Sequence, residues 1–264
     1  MPTVQLPPEL EGIGAKIFRA DKSISEVQIT IGKFLTTLPE FYSVRKFFEN
    51  NNLDYVFMVA GQRVAVPLII SVVCGEVLHH FRACLDHLVV ALAQKHAGTQ
   101  SNAHYFPIRM TRSKFDRAVK EGRLSGVSPS AIALIESLQP FHYPDPDRYF
   151  LGILHQLDII DKHRLLLVTT AASRMGNNIV LNSSGPATIT NLIPGGLRTI
   201  SETEQELCRI RLAEPQPGFD ANIDVGIKIA LSDVSGLTVP VIDTLLMIRD
   251  ATVELLGKFV SEFP

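Results

Sequence analysis

From Pro67 to about His96 the chain repeats apolar residues every three or four positions, the longest helical pattern it contains. At about 100° per residue, Val77, Phe81, Leu85, Leu88 and Leu92 fall on one face, and Leu78 and Val89 widen it. Ala97-Gly98 marks the stop. A helix this long with so broad an apolar face has to be covered by other elements, so it becomes the architectural centre of the N-terminal half.

The covering elements can be read on both sides of it. Residues 20–38 place Ile24, Val27, Ile31, Phe34, Leu35 and Leu38 on one helical stripe that Pro39 helps end. FYSVRKFFE (41–49) and LDYVFMVA (53–60) are aromatic and β-branched runs separated by Asn50, Asn51 and Asn52, which predicts a hairpin or short meander. TRSKFDRAVKEG and SPSAIALIESLQP read as short helices, with Ser113 and Ser128 as expected caps and Pro129 at the first helical position. Arg148 to His163 carries Leu151, Leu154, Leu157 and Ile160 at nearly helical intervals and is the natural partner of the long helix. From Leu165 the pattern becomes strand-like, and Ile223, Val225, Ile227, Ile229 and Leu231 alternate onto one face. Loops are expected at 176–186 and 214–218, and a helix opened by Pro240 closes the chain. The expected fold is α+β: a central helical group with N-terminal short strands, a β-rich C-terminal section and a closing C-terminal helix. The division expected is 15–164 and 165–264, packed as one unit.

Composition narrows the chemistry. The 264 residues are 46% hydrophobic and 20% charged, the balance of a chain that folds without a metal or disulfide staple. Three cysteines, Cys74, Cys84 and Cys208, form no C-x-x-C pair, which excludes a Cys-only zinc cluster and fits a reducing compartment. With 25 basic against 27 acidic residues there is no general basic coat for duplex DNA. No signal peptide is read at MPTVQLPPELEG, and VAVPLIISVVCGEVLHHF is broken by a proline and polar residues, so no membrane span or membrane partner is expected and the chain reads as cytoplasmic. G-x-G-x-x-G, P-loop, G-x-S-x-G and H-E-x-x-H sequences are absent, so no cofactor is expected.

Chemistry concentrates in LHHFRACLDHL (78–88) and LHQLDIIDKHR (154–164). On the long helix His79, Arg82 and Asp86 share one flank of the apolar stripe, and His80, Cys84 and His87 share the opposite one. Asp86 can pair with Arg82 and orient His79. The same residues also read as a partly buried ion pair locking two helices. His155, Asp158 and Lys162 share a face of the second helix, and an antiparallel arrangement would bring this strip to the first. His80, Cys84 and His87 include ligand types zinc accepts, but neighbouring side chains on one helix rarely converge on one ion, and no metal site is assigned. Arg109, Arg112, Lys114, Arg117, Lys120 and Arg123 form a local basic excess that reads either as a solvated face or as a nucleic-acid contact, with Tyr105, Phe106 and Phe115 nearby for stacking.

LHHFRACLDHL, FPI (106–108), IESLQPFH (135–142) and LHQLDIIDKHRLLLV (154–168) together resemble a family of uncharacterised bacterial proteins whose blocks read approximately LHNLRSALDHL, FPI, IExLQPY and LxxLxxIDKHR. Leu78, His79, Arg82, Leu85, Asp86, His87 and Leu88 match directly, as do Asp161, Lys162, His163 and Arg164; His80 stands where the family often has Asn. The resemblance spans roughly residues 15–170 and implies no established activity. More distantly, Arg82 to His87 is similar to the R-x4-6-H element of HEPN domains, helical proteins many of which cleave RNA as dimers. Ala83 stands where active members commonly carry a polar residue.

That second resemblance implies a metal-independent endoribonuclease in which His87 is the acid/base, Arg82 holds phosphate, Asp86 tunes the site and His79 assists. His155, Asp158, Lys162, Arg109, Arg112 and Arg117 would contact the ligand. Arg82 and His87 stand about 140° apart on a helix, so a homodimer would have to complete the site. The reading favoured from the residues is a non-enzymatic binding or assembly protein, in bacterial defence or regulation, with single-stranded RNA or a protein as partner. A protein that binds a small anionic ligand is the third reading.

Overall fold

The computed structural model describes residues 7–38, 40–182, 186–234 and 236–263. Along the chain lie α1 (Glu11–Thr37), β1 (Tyr42–Glu49), β2 (Asp54–Gly61), α2 (Leu68–Ala97), α3 (Arg112–Lys120), α4 (Pro129–Ser137) and α5 (Phe150–His163). They are followed by β3 (Val168–Leu181), β4 (Ile189–Pro194), β5 (Arg198–Thr199), β6 (Gln205–Leu212), β7 (Ala221–Val234), β8 (Leu237–Pro240) and α6 (Val241–Gly257). The α+β class and the closing helix are present. The order differs from expectation: the chain enters through the 27-residue helix α1, ahead of any strand. Pro39, expected to end that helix, lies outside the described residues.

Two compact units divide the chain. One comprises 1–29, 69–166 and 242–264, the other 30–68 and 167–241. The expected boundary after residue 164 falls close to one of these junctions, but the chain-order division into 15–164 and 165–264 does not describe the molecule. The hairpin at 42–61 groups with the late strands because β2 pairs with β6, and α6 groups with the helices. A pairing between segments so distant in the chain leaves no mark in either one's local pattern.

In the helical unit α2 buries Val77, Leu78, Phe81, Leu85, Leu88 and Leu92, on the expected face. Burial of each such side chain contributes about 1.5–3 kcal/mol relative to exposure, before the entropy of ordering it. Gly98, at φ 64°, ends the helix in the left-handed region, and its N–H donates to Gln94 O at 3.0 Å. By length and composition α2 could cross a membrane: its most apolar 18 residues have mean hydropathy 1.5, and 56% of them are buried within the protein. Glu76, His79, His80 and Arg82 interrupt the apolar run without interrupting the helix, and a buried core helix has the same length and average composition. Ser128 caps α4 as expected, accepting from Ala131 N at 3.2 Å. The cap position of α3 is Thr111 rather than Ser113.

The other unit is a pair of four-stranded antiparallel sheets, ordered β1-β2-β6-β4 and β5-β3-β7-β8. Tyr55, Phe57, Leu207 and Ile210 from the first sheet share a core with Ala172 and Ala221 from the second, so the sheets pack face to face. Asn50, Asn51 and Asn52 take φ of 51°, 54° and 64° in the β1–β2 turn, a conformation that asparagine tolerates better than most residues. β3 continues to Leu181, through much of the stretch read as a loop at 176–186; residues 183–185 of that stretch lie outside the described residues.

Candidate functional site

Arg82 and Asp86 form the expected i,i+4 pair, Nη2 to Oδ1 at 2.8 Å, but they lock a segment of main chain rather than two helices. Arg82 Nη2 donates to Phe106 O at 2.8 Å, and Phe106 N–H donates to Asp86 Oδ1 at 2.8 Å. Guanidinium, peptide and carboxylate thus close a ring that fastens the extended FPI segment to α2. Both main-chain groups of Phe106 are satisfied, as buried main-chain groups must be. Arg82 keeps one buried nitrogen, Nη1, without a hydrogen-bond partner among the described residues.

The next residues extend this lock. Gln139, fully buried, accepts from Arg109 N–H at 3.0 Å and donates to Ile135 O at 3.0 Å, so the IESLQPFH block holds the end of the FPI segment. Arg109 donates to Ile108 O and to the Tyr105 hydroxyl, and it and Arg123 lie over the Tyr105 ring, at 5.6 and 4.9 Å from its centre.

α5 supplies the second strip. His155 senses the charges of Arg82 and Arg109, and Asp161 sits against Gly75, so rising numbers on one helix meet falling numbers on the other. The two helices therefore run antiparallel. A Cβ at Gly75 would run into the Asp161 carboxylate, so a side chain here would require that carboxylate to move aside. Asp158 is buried and receives Lys162 Nζ at 2.6 Å.

The electrostatics favour neutral forms here. Burial, then the charges of Arg82 and Arg109, push the His155 pKa down to about 4, against the opposing charge of Asp158. Burial raises the Asp86 carboxyl above its ordinary range, with Asp158 adding, while Arg82 and the Phe106 N–H oppose it. Burial and then Asp158 raise Asp161, opposed by His79.

The opposite flank of α2 looks elsewhere. His87 is exposed and lines a cleft beside the first turns of α1; burial and then Lys16 lower its pKa. His80 is lowered by the same two causes, in the same order, and its Nδ1 is buried without a hydrogen-bond partner among the described residues. Cys84 is buried with Sγ 3.8 Å from Ile13 O, and burial pushes its thiol up to about 12, which places it in the core rather than in a ligand set. Among the described residues no group of three His, Cys, Asp or Glu side chains is placed to hold a metal ion.

The structure thus brings Arg82, Asp86, His155, Asp158, Lys162 and Arg109 together, with exposed His79 beside Asp161, and sets His87 apart from them. The proposed ligand-contacting arginines separate as well. Arg109 is tied into its own segment, Arg112 pairs with Asp116 at 3.0 Å and Glu136 at 2.7 Å, and Arg117 is exposed on α3. Phe106, expected to stack on bases, is buried in the core together with Phe115 and contributes its main chain instead, while Gly75 and Gln139 enter the site with no sequence signal of their own. Their blocks stand out in the sequence, but a main-chain contact and a missing Cβ carry no side-chain signature. No protein-family model, curated protein or solved structure matches the chain.

Proposed function

We propose that this α+β chain is a non-enzymatic binding or assembly protein, and that the polar residues of α2 and α5 hold its scaffold together rather than react. The observation carrying this reading is the closed ring of Arg82, Asp86 and the Phe106 peptide. Arg82 Nη2 is committed to a carboxylate and a carbonyl, so only Nε and the buried Nη1 are left to reach a phosphate, and turning Nη2 toward one would leave the Phe106 carbonyl unpaired. The cysteines add no nucleophile: Cys74, Cys84 and Cys208 are buried, with thiols raised by burial to about 12, 12 and 11.

One observation favours the alternative, metal-independent RNA cleavage by a homodimer. His87 is solvent-accessible and held toward its neutral form, as an acid/base needs. Arg82 could then offer a phosphate only Nε and the buried Nη1, and further positive charge would have to come from other groups. Incubation of metal-free protein with mixed single-stranded RNAs decides between the two, with Arg82→Ala and His87→Ala compared at equal folded concentration. The binding reading predicts no turnover by any of the three. Reproducible cleavage by the wild type that both variants lose would overturn it.

A further inference from the structure

Between the first turns of α1 and the C-terminal third of α2 lies a cleft of about 570 Å³, within the range of small-molecule sites. Ile13, Val90 and Ala91 line it with aliphatic surface, and Gly12 leaves the α1 backbone open, with nothing within 4 Å of where a Cβ would stand. Gln94 and Gln100 contribute two side-chain amides, and His87 a ring nitrogen donor and acceptor.

Charge balance restricts what this lining accepts. Its formal charges, Glu9 and Lys95, meet each other at 3.0 Å. Among the described residues the lining offers a carboxylate or phosphate no unpaired cation, Lys16 standing outside it, and an ammonium no unpaired carboxylate, so either would lose hydration for little compensation. Burial and Lys16 hold His87 toward its neutral form, so the lining itself adds no further cation near neutral pH. An uncharged molecule loses least on entry and gains the aliphatic surface, while amide groups on the protein pair best with an amide-like edge.

We propose that this cleft binds a small, uncharged, mostly apolar molecule carrying an amide-like hydrogen-bonding edge, held by His87, Gln94 and Gln100. The assignment rests on the reading of the chain as a binding protein and names the class of ligand that reading lacks.

Three probes of one size and ring separate the charge types: benzamide, benzoate and benzylamine, each titrated into the full chain while the His87 and Val90 resonances are followed by NMR. Benzamide is expected to shift both saturably, and the two charged probes to require at least about tenfold higher concentration. Gly12→Leu, which places a side chain in open space, and Gln94→Ala, on an exposed residue, are each expected to weaken benzamide binding with no fall in melting temperature. The proposal is overturned if benzamide leaves both resonances unmoved, if all three probes act alike, or if both variants bind as the wild type does. Shifts of the same resonances on simple dilution of the protein would assign the cleft to a second copy of the chain and overturn it too. RNA turnover with benzamide binding intact would sink only the non-enzymatic reading. Intact RNA with no benzamide binding would sink only the cleft.

Discussion

Arg82 and His87 lie five residues apart on one helix, yet the two flanks they occupy do different work. On the Arg82 flank, carboxylate and guanidinium are joined to each other and to the peptide of Phe106, and the neighbouring imidazole, His155, is driven neutral. On the His87 flank, the imidazole faces a cleft whose own charges cancel. One flank holds a loop in place, and the other has unfilled hydrogen-bonding capacity in an apolar setting. The same spacing rule that sorted these residues onto two flanks says nothing of what each will meet. That depends on a segment some twenty residues downstream for one, and on α1 for the other.

The largest effect is expected from the lock. Arg82→Ala should lower unfolding stability in urea by about 2–4 kcal/mol, because it strands a mostly buried carboxylate and a carbonyl. Asp86→Ala should cost a similar amount. The double variant should cost less than the sum, with a coupling of about 1–2 kcal/mol. His87→Ala, on the other flank, should stay within about 0.5 kcal/mol of wild type, and a loss equal to that of Arg82→Ala would abolish the contrast.

The approach of α5 to α2 gives a smaller effect. Gly75→Ala should cost about 1 kcal/mol or less, since its methyl displaces only the partly exposed Asp161 carboxyl and alanine favours the helix, and Asp161→Ala in the same chain should recover that cost. Equal losses in the single and double variants would show that the methyl meets something else.

The pH response sharpens the comparison further. With its folded pKa at about 4 against an ordinary 6.5, His155 binds its proton more readily in the unfolded chain. Its neutral form therefore contributes stability above pH 6.5 that is lost as pH falls toward 4. Asp86 and Asp161, whose carboxyls are raised, act in the opposite sense: their contribution is present in acid and lost as pH rises. The difference between wild type and His155→Gln isolates the histidine. The stability of the wild type relative to His155→Gln should fall by about 1–2 kcal/mol between pH 6.5 and 4, after discounting for the solvent the ring still sees. A pH-independent difference would mean that the imidazole is not shielded.

The smallest effect is expected in the sheet unit. Lys46 Nζ meets Asp220 at 2.7 Å, and Tyr55 donates to the same carboxylate, which Lys46 first and Tyr55 second hold at a pKa of about 2. The pair is partly open to solvent, so Lys46→Ala should cost about 0.5–1 kcal/mol near neutrality. That contribution is present above the ordinary carboxylate pKa and disappears as pH falls toward 2. A cost matching that of Arg82→Ala would erase the difference between a buried lock and a surface pair.

What the sequence discloses follows the range of each interaction. The face of α2, the Asn50–Asn52 turn, the Ser128 cap and the Arg82–Asp86 pair are local, and residue spacing or turn chemistry reveals them. The union of β2 with β6 is not local: Asp54 stands opposite Arg211, and neither strand's alternation names the other. The same holds at the site. The Arg82–Asp86 spacing is visible, but its target is a peptide group, which every residue carries and no motif distinguishes. Gly75 reads as a weak point in a helix until Asp161 is seen to occupy the space a side chain would fill.

Amide hydrogen exchange at Phe106 reads the lock itself, because that N–H donates to Asp86. Strong protection is expected in the wild type and in His87→Ala, and faster exchange in both Arg82→Ala and Asp86→Ala under conditions where the chain stays folded. Rapid exchange at Phe106 in the wild type, or protection that survives loss of Asp86, would contradict the lock.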